Sequence, residues 1–170
     1  NLYISQPAYR DYPIVGVTWQ QANDYCEWRS NRVMERILVL KKDKPRMVIP
    51  SKIIYRLPTQ TEWESVAKAG YLEKTQSKLN KKHPDCNKGN FKQNTTENDN
   101  STTAPVYQYW PNNYGVFNIL GNVAEMTSEN GVAKGGSWKQ LEENVSVDKN
   151  FAYQKAENWV GFRCICEVTY

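Results

Sequence analysis

The order of apolar and polar positions divides the chain into a few short elements separated by long polar stretches. Residues 14–17, Ile-Val-Gly-Val, are an apolar run that predicts a short strand. It feeds a helix, because Thr18 and Gln21 have the spacing of a capping box and Ala22, Tyr25, Cys26, Val33 and Ile37 recur at helical spacing. That helix is expected to run to about Leu40, where Lys41-Lys42-Asp43-Lys44-Pro45 ends it. Residues 47–49 and 53–55 read as two short β segments separated by Pro50. A second helix is expected over 60–69: Thr59 and Glu62 form another capping box, Trp63, Val66 and Ala67 share a face, and Gly70 stands where a C-terminal glycine belongs. At the C-terminus Phe162, Cys164, Cys166, Val168 and Tyr170 alternate with Arg163, Ile165, Glu167 and Thr169, which predicts one strand with Cys164 and Cys166 on the same face, about 7 Å apart.

Two stretches interrupt this pattern. Residues 71–104 are rich in Lys, Asn and Thr, with too few apolar positions to form a core, and read as a polar insertion in a single domain spanning 1–170. Residues 111–127, Pro-Asn-Asn-Tyr-Gly-Val-Phe-Asn-Ile-Leu-Gly-Asn-Val-Ala-Glu-Met-Thr, are the most chemically marked segment. Pro111, Asn112, Asn113 and Gly121 supply turns, while Tyr114, Val116, Phe117, Ile119 and Leu120 call for a core. Asn122 and Glu125 place an amide oxygen and a carboxylate three residues apart beside a glycine. Two readings stand: a polar turn closed by a capping carboxylate, or a hard-cation site.

Composition narrows the class. Six Trp and eleven Tyr among 170 residues, with a mean hydropathy of -0.76, describe a few large side chains filling a core under polar loops, unlike a helical bundle. The net charge of +4 is mild, and the lysines at 41, 42, 44, 74, 78, 81, 82 and 88 read as solvated surface, so no nucleic-acid partner is expected. No apolar run approaches the ~20 residues that span a bilayer, so membrane association is expected only through a segment outside this chain. Cys26, Cys86, Cys164 and Cys166, with His83 as the only histidine, lack zinc spacing and point to a disulfide, hence to an oxidising compartment. The single histidine also leaves Ser137 without a general base for a hydrolytic triad.

Five motifs, in order, resemble the formylglycine-generating-enzyme-like domains, the sulfatase-modifying-factor family with a C-type-lectin-like fold. They are Tyr12-Pro13-Ile14-Val15-Gly16-Val17-Thr18-Trp19 with Tyr25-Cys26-Glu27-Trp28; Tyr55-Arg56-Leu57-Pro58-Thr59-Gln60-Thr61-Glu62-Trp63-Glu64; Ala104-Pro105-Val106 with the 111–125 segment; Lys134-Gly135-Gly136-Ser137-Trp138; and Gly161-Phe162-Arg163-Cys164. The resemblance implies an α+β domain with two helices, short twisted strands and much irregular loop. It implies a Cys26 to Cys164 disulfide, leaving Cys166 a free, buried thiol. It also implies structural calcium held by Asn122 and Glu125 with carbonyls near Leu120, Gly121 and Val123. A second calcium site would use Asn90, Phe91 and either Asn98 or Asp99.

Catalytic members of that family use copper on two cysteines shortly after Gly-Gly-Ser, and Gln140 and Val145 stand at those positions here, so no copper and no oxidase activity are expected. The iron-dependent branch needs several histidines, which this chain lacks. The residues from Cys26 to Glu35 and from Gly121 to Met126 look most like the gliding-motility lipoproteins of the type IX secretion system. That likeness implies a non-catalytic scaffold with protein partners in an extracytoplasmic envelope assembly. The alternative is a ligand-display module of the retroelement variable-protein kind, with Ser137, Trp138, Tyr153 and Trp159 as a candidate binding loop. A copper-dependent oxidase ranks third.

Overall fold

Two capping boxes fix where the helices begin. In α1, Trp19–Asp43, Thr18 Oγ1 accepts from the Gln21 backbone N–H at 3.1 Å, and Gln21 Oε1 accepts from the Thr18 N–H at 2.8 Å. In α2, Gln60–Ala67, Thr59 and Glu62 make the same exchange. Each box satisfies two backbone donors that have no partner inside the helix. α1 outlasts its expected end by three residues. Lys41 Nζ folds back onto the carbonyl oxygens of Pro45 and Met47 at 2.5 and 2.6 Å, and Lys41 and Lys42 face the negative end of the helix dipole.

The computed structural model describes residues 5–69, 89–92 and 102–170. β1, Lys52–Arg56, pairs antiparallel with β6, Ile165–Thr169, in a two-stranded sheet. The other sheet has the order β4-β3-β2-β5, from Phe151–Ala152, Val132–Lys134, Ala124–Met126 and Val160–Phe162. Its β2–β5 pair is parallel and the rest antiparallel. Ala22 and Cys26 of α1, Leu57, Ala124, Met126, Ala133, Tyr153 and Val160 form the main core, with Trp19, Tyr55, Trp159 and Phe162 packed around it. Trp63, Ala67 and Ile119 form a second cluster.

Three expected elements differ. Residues 14–17 form no strand: the chain bends at Gly16, φ +72°, whose N–H donates to Glu157 O at 3.0 Å. Residues 47–49 form no strand, and Tyr114 is exposed. The single C-terminal strand is two. Its alternation breaks at Arg163 and Cys164, where the chain leaves β5 for the other sheet as β6. Cys164 stays against the core, but Cys166 emerges on an outer strand and is exposed, not buried. Part of the 71–104 insertion is core: Phe91, Thr103 and Ala104 are buried.

Arg56 ties the start of α2 to β6 by pairing with both Glu62, at 2.7 Å, and Glu167. The Arg56 guanidinium, aided by the Thr59 N–H, holds the Glu62 carboxyl at about 2, below its ordinary 4.5. A depressed carboxyl stabilises the fold above the unfolded value and loses that contribution as pH falls through the folded one. Melting temperature is therefore expected to drop as pH is lowered from 4.5 to about 2. Arg56→Ala should flatten that slope, to a modest extent because the pair is partly solvated.

Candidate functional site

The 111–127 segment winds through the molecule on asparagine amides. Asn112 Oδ1 accepts from the N–H groups of Tyr114 and Val116 at 3.0 and 3.1 Å, while its Nδ2 donates to Val66 O at 2.8 Å, fastening the loop to the end of α2. Asn118 and Asn122 take left-handed conformations, φ 51° and 64°, which asparagine tolerates better than other side chains with a Cβ. Gly121, at φ +78°, has no alternative: a Cβ there would lie 2.8 Å from the Phe91 ring and 2.9 Å from Asn90 O.

Asn122 is buried and its amide is fully used. Oδ1 accepts from the Ala104 N–H at 2.8 Å and Nδ2 donates to Ala104 O at 2.9 Å, so the side chain pairs with a backbone amide like a strand neighbour. Its N–H donates to Asn90 O at 2.8 Å, and its carbonyl accepts from the Trp138 N–H at 3.0 Å. Glu125 is buried too. Trp63 Nε1 donates to Oε2 at 2.8 Å, and Arg163 grips the carboxylate with Nη2 at 2.7 Å from Oε1 and Nε at 3.1 Å from both oxygens. Arg163 Nη2 also donates to Phe117 O at 2.9 Å, and the Glu125 charge raises the guanidinium pKa further.

The two side chains expected to hold calcium meet protein partners here. The Asn122 amide is turned to Ala104, the Glu125 charge is balanced by Arg163, and the two side chains serve different partners. The Gly121 N–H donates to Gly135 O at 2.8 Å, while Leu120 and Val123 lie in the adjoining core, so this stretch acts as a polar hub joining three loops. In the second expected site, Asn90 Nδ2 donates to Thr102 O at 2.7 Å and Phe91 packs beneath Gly121. Asn98 and Asp99 lie outside the described residues, as do Cys86 and His83.

The candidate binding loop turns inward. Ser137 and Tyr153 are buried, Trp159 packs on the core and Trp138 is half-buried, because Ser137 closes a turn and Tyr153 fills the space beside β3. Gln140 Oε1 accepts from Ser137 N and Oγ at 2.8 and 2.6 Å. A Cβ on Gly136, at φ +67°, would lie 2.5 Å from Val145 Cγ2. Both positions are thus wired into the turn. The sulfurs of Cys26 and Cys164 lie 3.2 Å apart. Burial, then contact with Cys164, pushes Cys26 up to about 12; burial also raises Cys164.

Local sequence gave no sign of two features. Lys134 is fully buried, its Nζ bonded to Glu64 Oε1 at 2.7 Å and Asn150 Oδ1 at 2.9 Å, and it lies 5.9 Å above the Trp63 ring. Arg163 reaches Glu125 across 38 residues. Above that ion pair opens a cleft of about 520 Å³, walled by Tyr12, Tyr107, Phe117 and Phe162 with Asn118 beside them. Its lining sets those rings beside the polar groups of Asn118, Asn122, Glu125 and Arg163, a mixture that suits binding.

The order of these pieces is a family signature. The sequence profile of the sulfatase-modifying factor enzyme 1-like domain matches residues 3–168. The chain belongs to this family. It is 31% identical to the formylglycine-generating enzyme of Mus musculus over 126 residues, 70% of this chain and 27% of that protein. It is 26% identical to the inactive C-alpha-formylglycine-generating enzyme 2 of Bos taurus over 174 residues, 91% of this chain and 50% of that one. The chain therefore spans a quarter to a half of the length of these relatives. Among solved structures, Treponema denticola variable protein 1 superposes with a TM-score of 0.60 at 20% identity, covering 95% of this chain and 73% of that one. The fold of this formylglycine-generating-enzyme-like domain is α+β and C-type-lectin-like.

Proposed function

We propose that this domain is a non-catalytic binding module, working as a scaffold in an extracytoplasmic envelope assembly of the gliding-motility or type IX secretion kind. The observation that carries the reading is the use made of the two copper positions. Gln140 serves as the acceptor that closes the Ser137 turn, and Val145 packs against Gly136. A soft cation such as Cu(I) calls for thiolate ligands, and an amide and an isopropyl group supply none. The similarity to an inactive relative over 91% of the chain is consistent with a fold kept after such a loss.

The envelope assignment rests on the likeness of the residues around Cys26–Glu35 and Gly121–Met126 to those lipoproteins. The display reading is disfavoured, because Ser137 and Tyr153 are buried in the fold. Purified protein given Cu(I), a reductant and a cysteine-containing sulfatase peptide is expected to leave the peptide thiol unchanged by mass spectrometry. Conversion of that cysteine to formylglycine would overturn the reading.

A further inference from the structure

Residues 36–48, the last two turns of α1 and the loop that follows, concentrate two properties that are sparse elsewhere. Arg36, Lys41, Lys42, Lys44 and Arg46 stand against Asp43 alone. Five cations less one anion equals the +4 net charge of the whole chain, so the remaining residues sum to neutrality. Arg36, Lys42, Lys44 and Arg46 have no ion-pair partner among the described residues, whereas Arg32, one turn earlier, is paired with Glu35. The same arm carries exposed aliphatic side chains: Leu38 at 46%, Val39 at 49% and Val48 at 77%. Only one other large aliphatic, Val168, is exposed among the described residues. Ile37, Leu40 and Met47 are half-buried.

We propose that this arm is a membrane-contact element that rests on a bilayer surface rich in anionic phospholipid. It goes beyond the scaffold reading, does not depend on it, and replaces the expectation that this chain meets a membrane only through a segment outside it. Leu38, Val39 and Val48 would enter the headgroup boundary while the cations around them meet phosphate, the division of labour of a basic amphipathic segment. A protein groove that takes a helix reads anchors three and four residues apart. Here the positions three and four after Leu38 and Val39 are Lys41, Lys42 and Asp43, so no apolar stripe continues along the helix. A bilayer needs none, only exposed apolar side chains among positive charges.

The test is co-sedimentation of the whole chain with vesicles of phosphatidylcholine alone and of equimolar phosphatidylcholine and phosphatidylglycerol. Binding is expected only to the second, weakening as salt is raised. Leu38→Ser with Val39→Ser, and separately Lys42→Glu with Lys44→Glu, should each lower partitioning on the order of tenfold or more. Lys139→Glu with Lys155→Glu, the same charge change elsewhere on the surface, should not. All these side chains but the two aliphatics are polar and exposed, and circular dichroism melts would verify that each variant folds. Absence of sedimentation with anionic vesicles overturns the proposal. So does an equal loss in the Lys139 and Lys155 variant, or binding indifferent to Leu38 and Val39, which would leave only diffuse attraction. Retention on polyglutamate, lost in the arm variants, without vesicle binding would assign the arm to an acidic protein instead.

Discussion

Joining Cys26 to Cys164 is expected to stabilise the domain by about 5 kcal/mol over its dithiol form, the loop-closure value for a bond spanning 138 residues. Both side chains already meet in the core, with sulfurs 3.2 Å apart, so closing the bond asks for little movement of α1 against the β5–β6 junction. As thiols the two are poor nucleophiles, because burial raises both. Cys166, exposed on β6, is the described thiol open to reagent. Protein from an oxidising compartment, alkylated in denaturant without reductant, should label at Cys166 and be protected at Cys26 and Cys164. Reductant should then lower the melting temperature, and Cys164→Ala should remove that dependence. Labelling of Cys26 and Cys164 under non-reducing conditions, or a peptide joining Cys86 to Cys166, would sink the pairing.

Features set within a few residues were legible in the sequence, and features set across the fold were not. Thr18 with Gln21 and Thr59 with Glu62 encode their helix starts in four residues each, and both form as read. Gly121 is demanded by backbone conformation and by the Phe91 ring, and it too was visible as a turn. The family followed from the order of five motifs, most of which lie in the core or at these turns. Glu125 stood out in the sequence, but its partner Arg163 did not, since Arg163 fell on the polar side of an apparent strand. Nothing local reveals that the alternation breaks there and changes sheet. The same break exposes Cys166 and leaves Cys164 in place. Lys134 shows the converse limit: nothing beside it in the sequence marks it as buried, and only the approach of Glu64, Asn150 and the Trp63 ring makes its burial tolerable.

Glu125→Gln is expected to destabilise the domain by about 3 kcal/mol, because removing one partner of a buried ion pair leaves the other uncompensated. The figure sits at the low end of such losses, since Arg163 keeps access to solvent through the cleft. For a domain of this size that amounts to a melting point lowered by roughly 6 to 12 °C. Replacing Arg163 by Met should cost a similar amount by itself. The double variant should lose clearly less than the two single losses added, the mark of residues in direct contact. Chelation provides the contrast. With the carboxylate held by Arg163 and Trp63, EDTA should leave the wild-type melt unchanged. If instead EDTA lowers the melt and Glu125→Gln abolishes that sensitivity, the carboxylate is a cation ligand and the Arg163 pair is secondary to it. A coupling energy near zero between Glu125 and Arg163 would lead to the same conclusion by an independent route.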